Sequence, residues 1–587
     1  MIRAVVHWAV VAALAGGAML TPRPAAAQDS VIVIRPGPES DSGAVRGLPA
    51  EIVHQVIGWY NDSTTLRFNG STVVPATSRL SGRVAVYRGT LRVFGRIDGP
   101  VAVINGDLII ATGGVVAGNV LVVGGQVDIR RGGSLEGEQV AHEALAPVYR
   151  LPTGLLTISE RRRALGEIAS AQTSFRTGRV NTTLTLETGR TYNRVEGLPI
   201  VFGPTFTVLG TTNVDARLDL RGTFRPVSDQ TKLRDAVGFM ASTEWAGGGE
   251  ASRRWVGFGG RGYRQIVPID DQPLGRGEAG WSAFLLQRDY RDHYEARGLE
   301  AYGFVQPAKG LRLGVSYRRD LERSVPANDP ISLIRNDEIW RPNPLIDDGH
   351  YRTLRLSLDY DTRDDVIRPA SGWLIHTDWE RGAADDASPV SLPAAVRAPI
   401  APGAYHFTKL RFDVRRYARF NPTSRVNLRV VGAGWIGGDP LPVQRRVALG
   451  GPDILPGFSF RDLNCAPAGF DDLARTALCD RMLAMELEVR TPVPVGLPFR
   501  IRRPEIALLQ QVLGIEQAEL VLMANTGKAW LTGDGPGRVP NNRIPKFNEW
   551  EADIGAGIDA GGVGLYVAKA LAADRALRFT VRLQRRF

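Results

Sequence analysis

TLRLSLDYD, Thr353 to Asp361, places Leu354, Leu356, Leu358 and Tyr360 on one side of an extended chain and Arg355, Ser357 and Asp359 on the other. Successive side chains of a strand point to opposite faces, so this is a two-faced strand. The same period returns in KLRFDVR, where Leu410, Phe412 and Val414 alternate with Lys409, Arg411, Asp413 and Arg415, and again in ARLDLR and SRVNLRV. One face is apolar and the other carries formal charge, the pattern of a barrel with lipid outside and water inside. A soluble sandwich alternates as well, so the period by itself does not decide between them.

The stretch LRFTVRLQRRF, ending at Phe587, adds weight to the barrel. It sets Leu577, Phe579, Val581, Leu583 and Phe587 on one face. A closing strand with a terminal aromatic resembles the targeting signal of bacterial outer-membrane barrels, which makes Phe579, Val581, Leu583 and Phe587 the signal residues. Between residues 178 and 587 the strand-length stretches number about sixteen, and an even number suits an antiparallel sheet closed on itself. The composition, with 66 Gly, 14 Tyr, 11 Trp and 6 Met, also favours strands and turns over helix bundles.

The first residues, MIRAVVHWAVVAALAGGAML, followed by Ala25-Ala26-Ala27, have the layout of a secretory signal peptide over residues 1–27. No later stretch is apolar for long enough to form a spanning helix. The formal charge is +11 and the isoelectric point about 9.8. The arginines are spread along the chain with no basic cluster interleaved with aromatics, so nucleic acid is not an expected partner. A charged lumen and contact with the anionic headgroups of outer-membrane lipid and lipopolysaccharide account for the surplus.

Ahead of the barrel, GRVAVYRGTLRV (Gly82 to Val93), GPVAVINGDLII (Gly99 to Ile110) and GNVLVVGGQVDI (Gly118 to Ile129) are near-copies. A short fixed period with recurring glycines describes a solenoid, in which Val101, Val103, Leu108 and Ile110 point inward and stack on their equivalents in the next coil. The glycines stand where the chain turns or approaches another backbone. Residues 81–140 resemble the polymer-forming, bactofilin-like right-handed β-helix, which implies either self-association or contact with the cell wall. The bland alternative is a periplasmic cap or spacer. Within residues 28–80, LPAEIVHQVIGWYN has apolar residues at helical spacing and is expected to cover the first coil. Residues 141–177, including ISERRRALGEIASAQTSF, are expected to form a helical connector.

Several ordered motifs in the C-terminal part resemble the bacterial surface antigen family of barrels, which includes the central subunit of the barrel-assembly machinery and its translocation relatives. LDYDTRDDVIRPASGWLIHTDWE (Leu358 to Glu380) is similar to the family's strand, turn and strand. LGGPDILPGFSFRDL (Leu449 to Leu463) is similar to its lumen-entering loop, with Gly450, Gly451, Leu455, Pro456, Gly457 and Phe458 at the tip. MELEVRTPVP, VLMANTGKAW and IGAGIDAGGVGLYVAKAL follow as later strands. The loop falls between the eleventh and twelfth expected strands.

There are two departures from the family. Its loop tip carries an arginine held by acidic residues of neighbouring strands, whereas this tip reads Leu455-Pro456-Gly457-Phe458 and the partner strand has Asn525. A replacement lock of Arg461 with Glu486, beside Asn525, is the expectation that follows. The family's periplasmic client-binding modules also lack a counterpart, because the repeat stands in their place.

Cys465 and Cys479 in NCAPAGFDDLARTALCD are expected to close one disulfide. Asp289, Asp292 and His293 form the one local cluster with a histidine, and a polar barrel face accounts for it better than a cation site. The sequence has neither a lipase elbow nor a phosphate-binding loop, so no catalytic residue, cofactor or metal is assigned. The expected architecture is all-β, a transmembrane antiparallel barrel of about sixteen strands over 178–587 preceded by a short right-handed β-helix. The expected location is the bacterial outer membrane, with the N-terminal domain in the periplasm. The resemblance implies a non-enzymatic role in assembling, inserting or translocating client outer-membrane proteins. The alternative is a structural envelope anchor, and a solute pore or enzyme ranks last.

Overall fold

The computed structural model describes residues 50–586, apart from short segments between elements and the longer stretches 159–169, 227–235 and 494–517. The expected signal peptide over residues 1–27 and Phe587 lie outside the described residues.

The N-terminal part is a parallel solenoid of about four turns. Leu66–Asn69, Val84–Tyr87, Val101–Ile104, Val120–Val123 and Gln139–His142 stack in one sheet, and two further sheets complete each coil. Val84 lies against Val101, and Val101 against Val120, so the inward residues form continuous ladders. With Leu91, Val93, Ile97, Leu108 and Ile110 they make a dry core. The first coil starts at Leu66, in a stretch expected to precede the repeat. LRFNGSTVVPATSRL hides it, because its first strand lacks the doubled apolar pattern of the later copies.

Glycines at the coil corners permit close approach between backbones. A Cβ on Gly118 would stand 2.4 Å from the carbonyl carbon of Gly99, and one on Gly99 would stand 1.9 Å from the oxygen of Gly82. Gly118→Ala is therefore expected to destabilise the solenoid by at least about 1–3 kcal/mol, the usual cost of overpacking. Gly58→Ala serves as the control, since nothing lies within 4 Å of its added methyl. Limited proteolysis of the full chain would check the pair. Equal resistance of the two variants would contradict the stacking argument.

The helix α1 (Ala50–Asn61) does not cap an end of the solenoid, as its position in the sequence suggested. Val53, Val56 and Tyr60 pack along its flank, against Ala85, Tyr87, Ala102, Ile104, Leu121 and Val123. VAVY, VAVI and VLVV are apolar at all four positions, so both faces of that sheet need cover, as in sheets buried on two sides. A hairpin of Val148–Arg150 and Leu156–Ile158 shares the same cover. Asn61 joins the two by exchanging hydrogen bonds of 2.7 Å with the backbone of Leu156.

The hairpin and the strand Ser170–Thr177 stand where a helical connector was expected, and residues 159–169 of that connector lie outside the described residues. SAQTSFRT alternates like the strands that follow and pairs residue for residue with the next one. The pairing overrides the helical reading, because a strand beside an open sheet edge satisfies its backbone there.

The rest is one antiparallel sheet of seventeen strands. They are β1 (Ser170–Thr177), β2 (Val180–Thr188), β3 (Ile200–Leu209), β4 (Val214–Phe224), β5 (Val237–Gly249), β6 (Arg254–Pro268), β7 (His293–Ala308), β8 (Leu311–Ser324) and β9 (Gly349–Asp361). They continue as β10 (Gly372–Ala387), β11 (Gly403–Arg419), β12 (Arg425–Gly438), β13 (Arg481–Val493), β14 (Ala518–Thr532), β15 (Glu551–Ala560), β16 (Val563–Ala570) and β17 (Arg578–Arg582). Each pairs with the next in chain order. From β2 onward they match the sixteen expected, and β1 is the addition. The described residues contain no ladder between β1 and β17.

Phe239, Val256, Phe258, Leu299, Leu356 and Phe579 are exposed on the outer face, whereas Asp219, Asp320, Asp413 and Glu486 are buried inside. Connections at one end are mostly short, as at 178–179, 309–310 and 561–562, with 494–517 the exception, and those at the other are mostly long, as at 269–292, 325–348 and 439–480. Membrane barrels show this same asymmetry between their two ends. β17 stops at Arg582, so Leu583 lies beyond the strand rather than on its face.

Candidate functional site

The connection 439–480, between β12 and β13, doubles back on itself. Val447 bridges Cys479 and Leu449 bridges Leu463, and Cys465 is bonded to Cys479 with a Cα–Cα distance of 5.0 Å. Gly450 and Gly451 take φ of 103° and 130°, values that a residue with a Cβ avoids, and so form the corner from which the tip projects. Leu455 holds φ 59° within the turn that Phe458 closes by donating its N–H to the Leu455 carbonyl at 3.0 Å. Ile454, Leu455 and Phe458 are buried against Val431, Met482, Ala484 and Ala570. The tip is therefore seated by apolar side chains on the inner face of β12, β13 and β16.

Gly457 makes the closest approach. Its N–H donates to Asp553 Oδ2 of β15 at 2.8 Å, and Asn525 of β14 donates to Asp553 Oδ1 at 2.6 Å. A backbone donor and an amide thus satisfy the carboxylate that faces the tip. No guanidinium is required there, which accounts for a tip without arginine.

The charges nearby have exchanged sides. The loop contributes an acid, Asp453, and the cations come from the wall. Arg429 of β12 bonds Asp453 at 3.1 Å, Glu486 of β13 at 3.0 Å and Asp413 of β11 at 2.9 Å. Arg582 of β17 reaches Asp453 at 3.4 Å and the Pro452 carbonyl at 3.0 Å. Arg586, beyond the last strand, turns inward to Glu486 at 2.5 Å and to the Asp453 carbonyl at 3.1 Å. All of these groups are buried. Buried ion pairs add little net stability, because desolvation offsets their attraction, but removing one member strands the other. The network therefore fixes the position of the loop more than it strengthens the barrel.

Arg461 does not pair with Glu486, contrary to expectation. Its guanidinium meets Asp292 of the 269–292 connection, and that carboxylate also bonds Arg194 at 2.6 Å and Arg341 at 2.7 Å. Glu486 is already held by Arg429 and Arg586, and Arg461 is taken up by Asp292. Burial pushes Asp292 up, but Arg341, Arg461 and Arg194 together hold its carboxyl far below the usual range. Asp289 is likewise paired, with Arg194 at 3.0 Å, so both carboxylates of the Asp289, Asp292 and His293 cluster face guanidinium groups. The described residues contain no cluster suited to a metal ion.

A second inward element is the helix α2 (Arg276–Leu286). Its Glu278 accepts from Arg582 at 2.8 Å and from the Leu583 N–H at 2.8 Å. Arg445 of the 439–480 connection bonds Glu322 of β8 at 2.6 Å and Glu380 of β10 at 2.8 Å. The site therefore brings together Gly450, Gly451, Leu455, Gly457, Phe458, Glu486 and Asn525 from the sequence reading. It adds Asp453, Arg429, Asp553, Arg582 and Arg586, which that reading missed. Arg429 had a signal, since it lies on the charged face of SRVNLRV, and Asp453 lies within the loop motif itself.

Residues 310–502, which include β8 to β13 and the loop, match the Omp85 superfamily domain. No curated protein matches the chain. Among solved structures, BamA from Haemophilus ducreyi lacking POTRA domains 1-3 is 12% identical, over 74% of this chain and 79% of that one, with a TM-score of 0.38. CdiB from Acinetobacter baumannii is 9% identical, over 71% of this chain and 65% of that one, with a TM-score of 0.27.

Proposed function

From the premise that residues 310–502 carry an Omp85 superfamily domain, we propose that the chain is a non-enzymatic outer-membrane barrel that assembles, inserts or translocates other outer-membrane proteins. The observation that carries this reading is the loop of that domain, seated on the inner wall by Gly457, Phe458 and Asp453. A barrel used only as an anchor has no need of an interior element fixed at so many points. The solenoid takes the periplasmic side, where a client would first arrive.

Depletion of the protein is expected to lower the level of a defined subset of outer-membrane or surface proteins, read by quantitative proteomics of the envelope fraction. An unchanged proteome would overturn the reading. Ile129 and Val140 on the last coil of the solenoid are exposed, which favours a second reading as an envelope scaffold. A disturbed cell shape with an unchanged proteome is the outcome that would support it.

A further inference from the structure

The outer face of the sheet carries arginines toward its long-connection end, above the apolar residues. Going up β8, the outward residues are Leu313, Val315 and Tyr317, and then Arg319. Arg319 is in register with Leu299 of β7 and with Arg352 of β9. Arg297 and Arg323 lie further toward the long-connection end, and Arg381 of β10 is in register with Leu354. Arg352 is paired with Asp385 at 2.5 Å. Arg297, Arg319, Arg323 and Arg381 are exposed, and the described residues show no ion pair for them.

Directly below Arg319 the surface is indented. Ala241, Gly260, Gly262 and Ala301 line a groove of about 580 Å³ walled by Leu299 and Tyr317. The groove exists because β5, β6 and β7 present their smallest side chains in neighbouring positions. The combination recurs around the sheet, where Arg381 stands beside a dent of about 300 Å³ lined by Thr408, Ile436 and Gly437.

We propose that these two indentations and the arginines beside them bind a lipid with several acyl chains and more than one phosphate, the class to which lipid A belongs. An acyl chain fills the glycine-floored groove, where the sheet offers a channel instead of protruding side chains. Guanidinium groups bind phosphate oxygens in bidentate pairs and keep their charge throughout the accessible pH range. Outward cations on a membrane barrel belong at the edge of its apolar band, level with the headgroups. Unpaired arginines on β7, β8 and β10 span more than one strand spacing, which matches a headgroup with separated phosphates better than one with a single phosphate.

The test is native mass spectrometry of the full chain in a neutral detergent, with bisphosphorylated lipid A, its dephosphorylated form or phosphatidylglycerol added. Bisphosphorylated lipid A is expected to give about tenfold more adduct than either of the others, a difference readily resolved in binding terms. An Arg297→Gln, Arg319→Gln, Arg381→Gln triple variant should lose that preference. Gly260→Leu should lower the adduct by filling the groove. A Cβ there meets only the Glu300 carbonyl oxygen, at 3.4 Å, so the sheet tolerates it. Heat-modifiable gel migration confirms that each variant is folded. Equal adducts with and without phosphate, or a triple variant that retains the preference, would overturn the site. Phosphatidylglycerol binding as well as lipid A would overturn the assignment to a lipid with several phosphates.

Discussion

Arg429→Met should destabilise the barrel by about 3–5 kcal/mol, the cost of leaving buried charge without its partner. Arg429 is the common counter-charge of Asp413, Asp453 and Glu486. Methionine roughly fills the space but donates nothing, so two wall carboxylates and one loop carboxylate would remain close together and buried. Arg586 and Arg582 still reach Glu486 and Asp453, whereas among the described residues Asp413 keeps only Arg415, at 2.8 Å. Arg429→Lys retains the charge but loses the fork that spans three acids, and an intermediate effect is expected. The measurement is the midpoint of heat-modifiable migration or of urea unfolding in detergent. Arg297→Met is the exposed control. If both variants shift the midpoint equally, the central role of Arg429 is refuted.

Gly457→Val should release the tip of the loop while leaving the barrel folded. A Cβ at this position would lie 2.6 Å from the Ala570 nitrogen and 2.7 Å from the Asp553 Cβ, so the obstacle is mainly backbone that cannot move aside. The tip must withdraw, at an overpacking cost of about 1–3 kcal/mol. Asp553 then loses its backbone donor, which adds about 1–3 kcal/mol for an unsatisfied buried group. The base of the loop remains tied by the Cys465–Cys479 bond and by Arg461 on Asp292, so the damage stays local. Protease cleavage within residues 450–460 should appear in this variant and not in the parent, and complementation of depleted cells should fail. A variant that complements fully with an accessible loop would separate the loop's position from the protein's role. It would also remove the observation on which the proposed function rests.

Local pattern was a reliable guide where the environment imposes it on each residue. Leu354, Leu356 and Leu358 face outward because lipid accepts no charge, and Arg355, Asp413 and Arg429 face inward because a pleated strand leaves them the other side. The coils from Gly82 onward were legible because stacking repeats the same steric demand in every turn. Reading failed where a segment's fate depends on a neighbour remote in sequence. Ser170–Thr177 becomes a strand through pairing with β2, and α1 lies along the flank of the coils because Ala85, Tyr87 and Ile104 offer it an apolar surface.

The same division runs through the candidate site. Local pattern alone shows two-faced strands, a coil stack with glycine corners, a loop with Gly450, Gly451 and Gly457 at its turns, and two cysteines near enough in the chain to join. Folding is what gives Arg461 to Asp292, Arg429 and Arg586 to Glu486, and the Gly457 N–H to Asp553. Periodicity and turn chemistry act over a few residues and leave their mark on adjacent letters. Charge pairing in a closed interior acts through space, so any of several arginines satisfies a given acid until the folded chain sets the distances.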